Sequence, residues 1–279
     1  MSAATKIITR PLGKNGPLVP RIGLGLMGLS GAHGVPRPDS ERLAFLDKAY
    51  EMGETFWDTA DMYNDSEDLL GKWFAANPEK RGSIFLATKF AYRRNEKGEH
   101  GIDTSPEYAR QAIEKSLNGS GHPWTSRPRA RAPATARELG IAVVAYSPLG
   151  KGMLGGGIRS AEDVSKPGDM RAAFAPRFAK ENLDANLALV NKLTEIAANK
   201  GITTAQLALA WLLAQGDDIF PIPGTRNPER LAENLGALEV TLTEDEEKAI
   251  RQLADKVAGS RLGAILTDYY FGDSPPLEA

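Results

Sequence analysis

The chain contains no cysteine among its 279 residues. Disulfides, thiolate metal sites and a cysteine nucleophile are therefore excluded, and the absence fits a reducing compartment. Histidine is nearly as scarce. His33, His100 and His122 stand at no metal-ligand spacing, so no metal site is expected. Neither sign of charge dominates: 34 basic against 36 acidic residues give a net charge of −2. That balance provides no electrostatic footprint for nucleic acid or an anionic membrane as partner. No apolar run approaches the ~20 residues that cross a bilayer. The first ten residues hold no apolar leader core. These absences predict a soluble, cytoplasmic protein. A 42% hydrophobic and 25% charged composition is that of a globular chain, not a disordered one.

What is present is an alternation of strands and helices. Ile7 to Ile22 reads as a short hairpin around Gly13-Lys14-Asn15-Gly16-Pro17. Ile22 to Leu26 reads as a buried strand with a Gly-rich turn after it. Asp39 and Ser40 cap a helix to about Met52, with Gly53 just past its end. Thr55 to Trp57 is a strand ending at Asp58. Ser66 caps a second helix, and Ile84 to Thr88 is a strand ending at Lys89. Ser105-Pro106 opens a third helix, to about Leu117. Strand–helix alternation of this kind predicts a parallel sheet, whose chemistry sits at the C-terminal strand ends.

The pattern then breaks. The 17 residues 118–134 hold no Leu, Ile, Val or Phe, and Arg127, Arg129 and Arg131 alternate with proline and small residues. A solvated basic linker accounts for them better than a nucleic-acid patch, since three arginines on a balanced chain are few. Order resumes with a helix end at Ala136–Leu139 and a strand at Ile141–Ala145. Lys151 to about Pro176 reads as loop. Further helices are expected at Asn186–Asn199, after Thr203 or Thr204, at Pro228–Leu235, and after a Thr243/Glu246 capping box. A strand at Ile219–Ile222 precedes Pro223-Gly224-Thr225-Arg226, and the tail from Ser260 reads as loop over the body.

Three polar residues carry the strongest chemical suggestion. Asp58, Tyr63 and Lys89 follow adjacent strands, and parallel neighbours lie about 4.8 Å apart. A free tyrosine has a pKa of ~10 and is a poor acid at pH 7. An ammonium held by a carboxylate stabilises its phenolate, which suits delivery of a proton to a carbonyl oxygen. An Asp–Lys ion pair beside a tyrosine with a satisfied hydroxyl explains the same spacing. Pro223 to Arg226 leads into a helix N-terminus, whose free N–H groups favour an anion. Arg226 and Arg230 add positive charge there, and simple capping with surface arginines is the plainer alternative. Gly23-x-Gly25-x-x-Gly28 matches a dinucleotide fingerprint literally. The next helix starts about twelve residues too late for that role.

Five motifs in order resemble the aldo-keto reductase superfamily. The nearest look is to its pyridoxal-reductase-like and general aldo-keto reductase branch. They are Gly23-Leu24-Gly25-Leu26-Met27-Gly28, Phe56-Trp57-Asp58-Thr59-Ala60-Asp61-Met62-Tyr63, Ala87-Thr88-Lys89-Phe90, Val144-Ala145-Tyr146-Ser147-Pro148-Leu149-Gly150, and Ile222-Pro223-Gly224-Thr225-Arg226. The resemblance implies an α/β fold, a (β/α)₈ TIM barrel, in one domain over residues 1–279 interrupted at 118–134. It implies NADPH as cofactor and reduction of a small-molecule aldehyde or ketone to an alcohol by hydride transfer. By the same carry-over Tyr63 is the general acid, with Lys89 and Asp58 tuning it. Tyr146 stacks on the nicotinamide, Ser147, Leu149 and Gly150 line the pyrophosphate, and Gly224 belongs to the cofactor site. Thr225, Arg226 and Arg230 hold the 2′-phosphate, and Glu233 and Asn234 the adenine.

The departures from the family pattern are as specific. The family's catalytic histidine after the fourth strand, and its carboxamide-gripping residues on strands five and six, have no match. Roughly seventy residues, about two and a half units of a ~250-residue barrel, are missing around 118–134. About five of eight barrel strands are readable, so the barrel is expected to be incomplete, with the strands at 84–88 and 141–145 either abutting or left as open edges. Two other readings attach to that gap: an NADPH-binding or regulatory protein without catalysis, and a mis-spliced, defective product.

Overall fold

The computed structural model describes residues 7–31, 34–94, 100–120, 136–167, 169, 171–261 and 263. The chain opens with an antiparallel hairpin, β1 (Thr9–Pro11) against β2 (Leu18–Pro20), as the turn residues predict. Then come β3 (Leu24–Gly25), α1 (Asp39–Glu51), β4 (Phe56–Asp58), α2 (Ser66–Ala76) and β5 (Phe85–Ala87). A second hairpin, β6 (Tyr92–Arg94) with β7 (His100–Ile102), precedes α3 (Pro106–Ser120). Beyond it lie β8 (Val143–Tyr146), α4 (Lys180–Asn199), α5 (Thr204–Ala214), β9 (Ile219–Ile222), α6 (Pro228–Leu235) and α7 (Glu244–Ala254).

The parallel strands form one arc. β3 pairs with β4 and β4 with β5, while β8 pairs with β9. β9 joins β3 through Gly23 N–H to Pro221 O at 3.0 Å, Gly25 N–H to Pro223 O at 3.2 Å, and a Gly25–Gly224 bridge. The order is thus β5-β4-β3-β9-β8. Among the described residues β5 and β8 do not pair with each other, so the sheet ends in two open edges and the barrel is not closed. Of the two outcomes expected for these strands, the structure takes the open edges.

Alternation along each strand sorts the side chains. On β4, Phe56 faces the concave side and packs on Phe85 and Phe220, with ring centroids 5.3 and 6.5 Å apart. Trp57 faces outward against Trp73 of α2, edge-on at 4.9 Å, in the main core with Leu24, Leu46, Leu70 and Leu86. Gly23 and Gly25 fall on the concave face. A Cβ at Gly23 would lie 2.7 Å from the Phe56 ring, and one at Gly25 would lie 2.9 Å from Ile222 O. These glycines therefore serve close strand packing, and no α-helix opens at the last glycine of the literal GxGxxG. Glu54, fully buried, ends its carboxyl on Phe56 N–H at 2.9 Å, and burial pushes that carboxyl well above the usual range.

Several sequence expectations need correction. Ser66 does not cap α2; its hydroxyl bonds Thr59 Oγ1 at 2.8 Å, and Asp65 stands at the cap position. The β6–β7 hairpin carries no alternating apolar signal and was not expected. α3 runs on to Ser120, into the Arg/Pro-rich stretch; the rest of that stretch, with Arg127, Arg129, Arg131 and His122, lies outside the described residues. The expected loop at 151–176 contains short helical turns at Gly150–Gly155, Ala161–Val164 and Arg171–Phe174. Met153, Ile158, Val164, Ala175 and Phe178 form a small core there with Leu183 and Val190. α4 consequently begins at Lys180, not Asn186, because Leu183 docks on that core. Asn186 itself is buried, donating to Arg177 O and Ala258 O at 3.0 Å each. The helix expected after Thr203 or Thr204 begins at Thr204 with Thr203 as its cap, and Thr203 and Thr243 both form the full capping box. The tail reading falls almost wholly outside the described residues.

Candidate active site

The residues singled out in the sequence gather on the C-terminal edge of the arc. Asp58 ends β4, and its alternation puts it on the concave side, the same side as Phe56. Lys89 follows β5 in equivalent phase to Phe85 and Ala87. The ladder continues past both strand ends, with Thr59 N–H to Ala87 O at 2.8 Å and Asp61 N–H to Lys89 O at 3.0 Å. This extension fixes the two segments side by side. Lys89 Nζ donates to Asp58 Oδ1 and, at 2.5 Å, to Thr59 O. It also lies 5.0 Å from the centre of the Tyr63 ring. Asp58 is 5% exposed, so the ion pair sits in a largely dry setting, where a charge needs a partner. Asp58, Tyr63 and Lys89 are thus one cluster.

The loop carrying Tyr63 is held by its own short bonds. Tyr63 N–H reaches Ala60 O at 3.1 Å, and Ser66 N–H reaches Tyr63 O at 3.0 Å. Asn64 takes a left-handed conformation, φ 49°, and donates its side-chain amide to Ser30 O at 2.6 Å. Behind the loop, Arg42 of α1 is 5% exposed and bonds Asp39 and both oxygens of Asp65, the latter at 2.8–2.9 Å. That guanidinium holds the Asp65 carboxyl at about 2. Sequence inspection missed this clamp. The signal available was Arg42 three residues beyond Asp39, on a face otherwise apolar.

The second group lines the ends of β8 and β9. Tyr146 closes β8 and is exposed, with the Arg261 guanidinium 3.8 Å from its ring centre. Ser147, Gly150, Lys151 and Gly152 all take positive φ, so the backbone here winds tightly after the strand. Leu149 packs its side chain on the main core. Past β9, Gly224 approaches Gly25 so closely that a Cβ would meet its carbonyl at 3.0 Å. Thr225 Oγ1 accepts from Asn227 N–H at 3.2 Å, and Asn227 caps α6 by accepting from Arg230 N–H at 2.9 Å. Arg226 donates to Val35 O at 3.2 Å, and Arg230 to Gly155 O at 2.7 Å. The two arginines therefore reach to opposite sides of the α6 N-terminus. Glu233 is half-buried one turn on, and Asn234 is buried under the helix. Arg261 on Tyr146 was not foreseen, because the contact joins residues 115 positions apart.

Basic groups concentrate along this edge. Burial, then the neighbouring Arg261 and Arg177, push the Lys151 ammonium below the usual lysine range. No group of three or more metal-ligating side chains occurs among the described residues, and no described helix is long and apolar enough to cross a membrane.

Known proteins share both the sequence and the arc. The family model "Aldo/keto reductase family" matches residues 21–122 and 118–255, in two pieces that meet where the Arg/Pro-rich stretch begins. The aldo-keto reductase yakc [NADP(+)] of Schizosaccharomyces pombe is 35% identical over 342 residues, covering 97% of this chain and 99% of that protein. An alignment longer than this 279-residue chain means the relative carries residues that are absent here. The aldo-keto reductase str7 of Strobilurus tenacellus is 33% identical over 93% of this chain and 97% of that one. Among solved structures, the glycerol dehydrogenase AKR11B4 of Gluconobacter oxydans superposes with a TM-score of 0.71 at 21% identity, covering 94% of this chain and 98% of that one. The thermostable aldo-keto reductase Tm1743, solved with the inhibitor epalrestat, superposes at 0.57 and 24% identity, over 88% of this chain and all of that one. The fold is therefore that of the reductase barrel, with part of its circumference missing. Matched by the family model on both sides of the break, and by full-length relatives above 30% identity, the chain belongs to the aldo/keto reductase family.

Proposed function

We propose that this chain is an NADPH-dependent reductase of small aldehydes and ketones, folded as one domain, with Tyr63 as proton donor. The observation that carries the reading is the Asp58–Lys89 ion pair beside the Tyr63 ring at the strand ends. A phenol that gives up its proton leaves a negative charge. An ammonium 5.0 Å from the ring centre, itself anchored by a buried carboxylate, stabilises that charge where it develops. Lys89 thus assists proton transfer from Tyr63 to a carbonyl oxygen, and Asp58 keeps the ammonium in place.

The residues present fit an anionic dinucleotide. The edge gathers Lys151, Arg177, Arg226, Arg230 and Arg261, and Arg230 makes no ion pair with a carboxylate among the described residues. Burial, then the positive charges of Arg261 and Arg177, depress the lysine at 151, a setting that an anion relieves. Tyr146 and the backbone of Ser147, Leu149, Gly150 and Gly224 would line the cleft. Thr225, Arg226 and Arg230 would hold a phosphate at the α6 N-terminus, with Glu233 and Asn234 beyond. When bound, NADPH supplies the hydride. Arg226 and Arg230 orient the anionic end, and Tyr63 supplies the proton.

The test is NADPH oxidation with 4-nitrobenzaldehyde, followed by loss of absorbance. Tyr63→Phe is expected to abolish turnover and leave NADPH binding within about twofold of the unmodified chain. Unchanged turnover in that variant sinks the assignment. A second reading, an NADPH-binding protein without turnover, is favoured by the open sheet and by the absence of a match to the family histidine. It predicts fluorescence quenching by NADPH with no oxidation of it by any carbonyl.

A further inference from the structure

The segment after α7 crosses back over the molecule and is tied down by its main chain. Ala258 exchanges two bonds with the buried side chain of Asn186: its N–H reaches Oδ1 at 2.8 Å, and its carbonyl accepts from Nδ2 at 3.0 Å. Gly259 O accepts from Arg177 Nε at 3.2 Å, and Gly263 N–H reaches Phe174 O at 3.2 Å. Gly259 takes a φ of 78°, and a Cβ there would lie 2.7 Å from Asn182 Nδ2, so the strap lies tight against α4. Between these tethers Arg261 reaches to the end of β8. Its guanidinium carbon lies 3.8 Å from the centre of the Tyr146 ring, and Nη2 donates to Tyr146 O at 3.4 Å. Arg261 also stands close enough to the Lys151 ammonium to help depress it. The guanidinium is therefore on the side of Tyr146 from which the Ser147–Gly152 turn leaves, the side read for the cofactor.

We propose that Arg261 is a built-in occupant of the Tyr146 platform, an autoinhibitory contact that the nicotinamide end of the cofactor must displace before it can stack. The inference rests on the cofactor reading of Tyr146. A guanidinium is flat, cationic and weakly hydrated, so it competes well for the face of an aromatic ring. One ring face holds one flat group at a time. The tethers act on main-chain atoms of Ala258, Gly259 and Gly263, so the strap stays in place while the Arg261 side chain swings aside. The cost of displacement is then the loss of one exposed cation–π contact, which lowers apparent affinity by about two- to fivefold. Arg261 also belongs to the basic edge, so its charge attracts an anionic ligand while its position opposes stacking. The anionic end, held by Arg226 and Arg230 at the α6 N-terminus, feels the charge and not the occupied ring.

The experiment measures binding by titration calorimetry and needs no turnover. Two probes are used: NADPH, and adenosine 2′,5′-bisphosphate, which carries the anionic end and no nicotinamide. Both are titrated into the full chain, into Arg261→Ala, and into Arg261→Lys, which keeps the charge and loses the flat stacking surface. The readout is the ratio of NADPH affinity to bisphosphate affinity within each protein, which cancels the effect of charge. Arg261→Ala is expected to raise that ratio about two- to fivefold, the size of an exposed cation–π contact. Arg261→Lys should fall between Arg261→Ala and the unmodified chain. A ratio that stays constant across the three proteins overturns the inference while leaving the cofactor reading intact. A ratio that falls in Arg261→Ala also overturns it, because Arg261 would then support the nicotinamide instead of excluding it. Failure of both probes to bind any of the three proteins overturns the cofactor reading and the autoinhibitory contact with it.

Discussion

The middle of the arc and its ends are built from similar residues and behave differently. β4 (Phe-Trp-Asp) lies between β3 and β5, and all three of its residues are buried. β8 (Val-Val-Ala-Tyr) is just as apolar, yet none of its residues is buried and Tyr146 is 45% exposed. Val144 reaches the same concave cluster as Phe56 and Phe220 but only from its margin. The comparison teaches that burial belongs to a strand's neighbours as much as to its side chains. In a closed parallel barrel every strand has two partners and two covered faces. Here β5 and β8 each have one partner among the described residues, so identical chemistry yields less.

That difference is open to direct attack. The largest expected effect is Trp57→Ala at the centre. The substitution removes a fully buried ring that packs on Trp73, at a cost of about 3–5 kcal/mol in unfolding free energy by urea denaturation. Val144→Ala at the edge should cost only about 1 kcal/mol, since it gives up few buried methylenes. Equal losses at the two positions would mean that the edge is covered in solution and that the comparison is false. Amide hydrogen exchange sharpens it further: Phe56–Asp58 should exchange near the limit set by global unfolding, and the outward-pointing amides of Val143–Tyr146 should exchange faster. Uniform protection along β8 would again indicate a covered edge.

The catalytic candidates divide along the same line. Asp58 ends β4, and Tyr63 and Lys89 follow β4 and β5, where the ladder continues past the strands through Thr59 and Asp61. Tyr146 and its loop stand on the edge strand, where Arg261 lies on the ring. Much of this was legible in the sequence because it is local. The capping box at Thr243, a cap at Thr203 or Thr204, the helix start at Pro228, the first hairpin and the ends of the strands all follow from residues within a few positions of one another. The Asp58–Lys89 pairing was legible too, since adjacent strands in phase bring their ends together. What stayed hidden depends on long-range packing: Ser66 bonding Thr59 instead of capping, the Arg42 clamp on Asp65, the small core under residues 151–178, and Asp61 against Tyr108.

By itself, the sequence determined the alternation of the parallel strands with helices, the first hairpin, the Thr243 capping box, and the set of polar residues at the strand ends, because each depends on short-range propensity and periodicity. It also marked the break after α3, where composition changes abruptly. Only the tertiary structure decided that the five strands form a single arc with β9 joined to β3, and that the arc stays open between β5 and β8. It alone decided which carboxyls are paired, as Asp58 is, and which stand half-buried beside another, as Asp61 does near Glu67. Strand partners and the dielectric around a side chain are set by residues distant in sequence, and no local pattern encodes them.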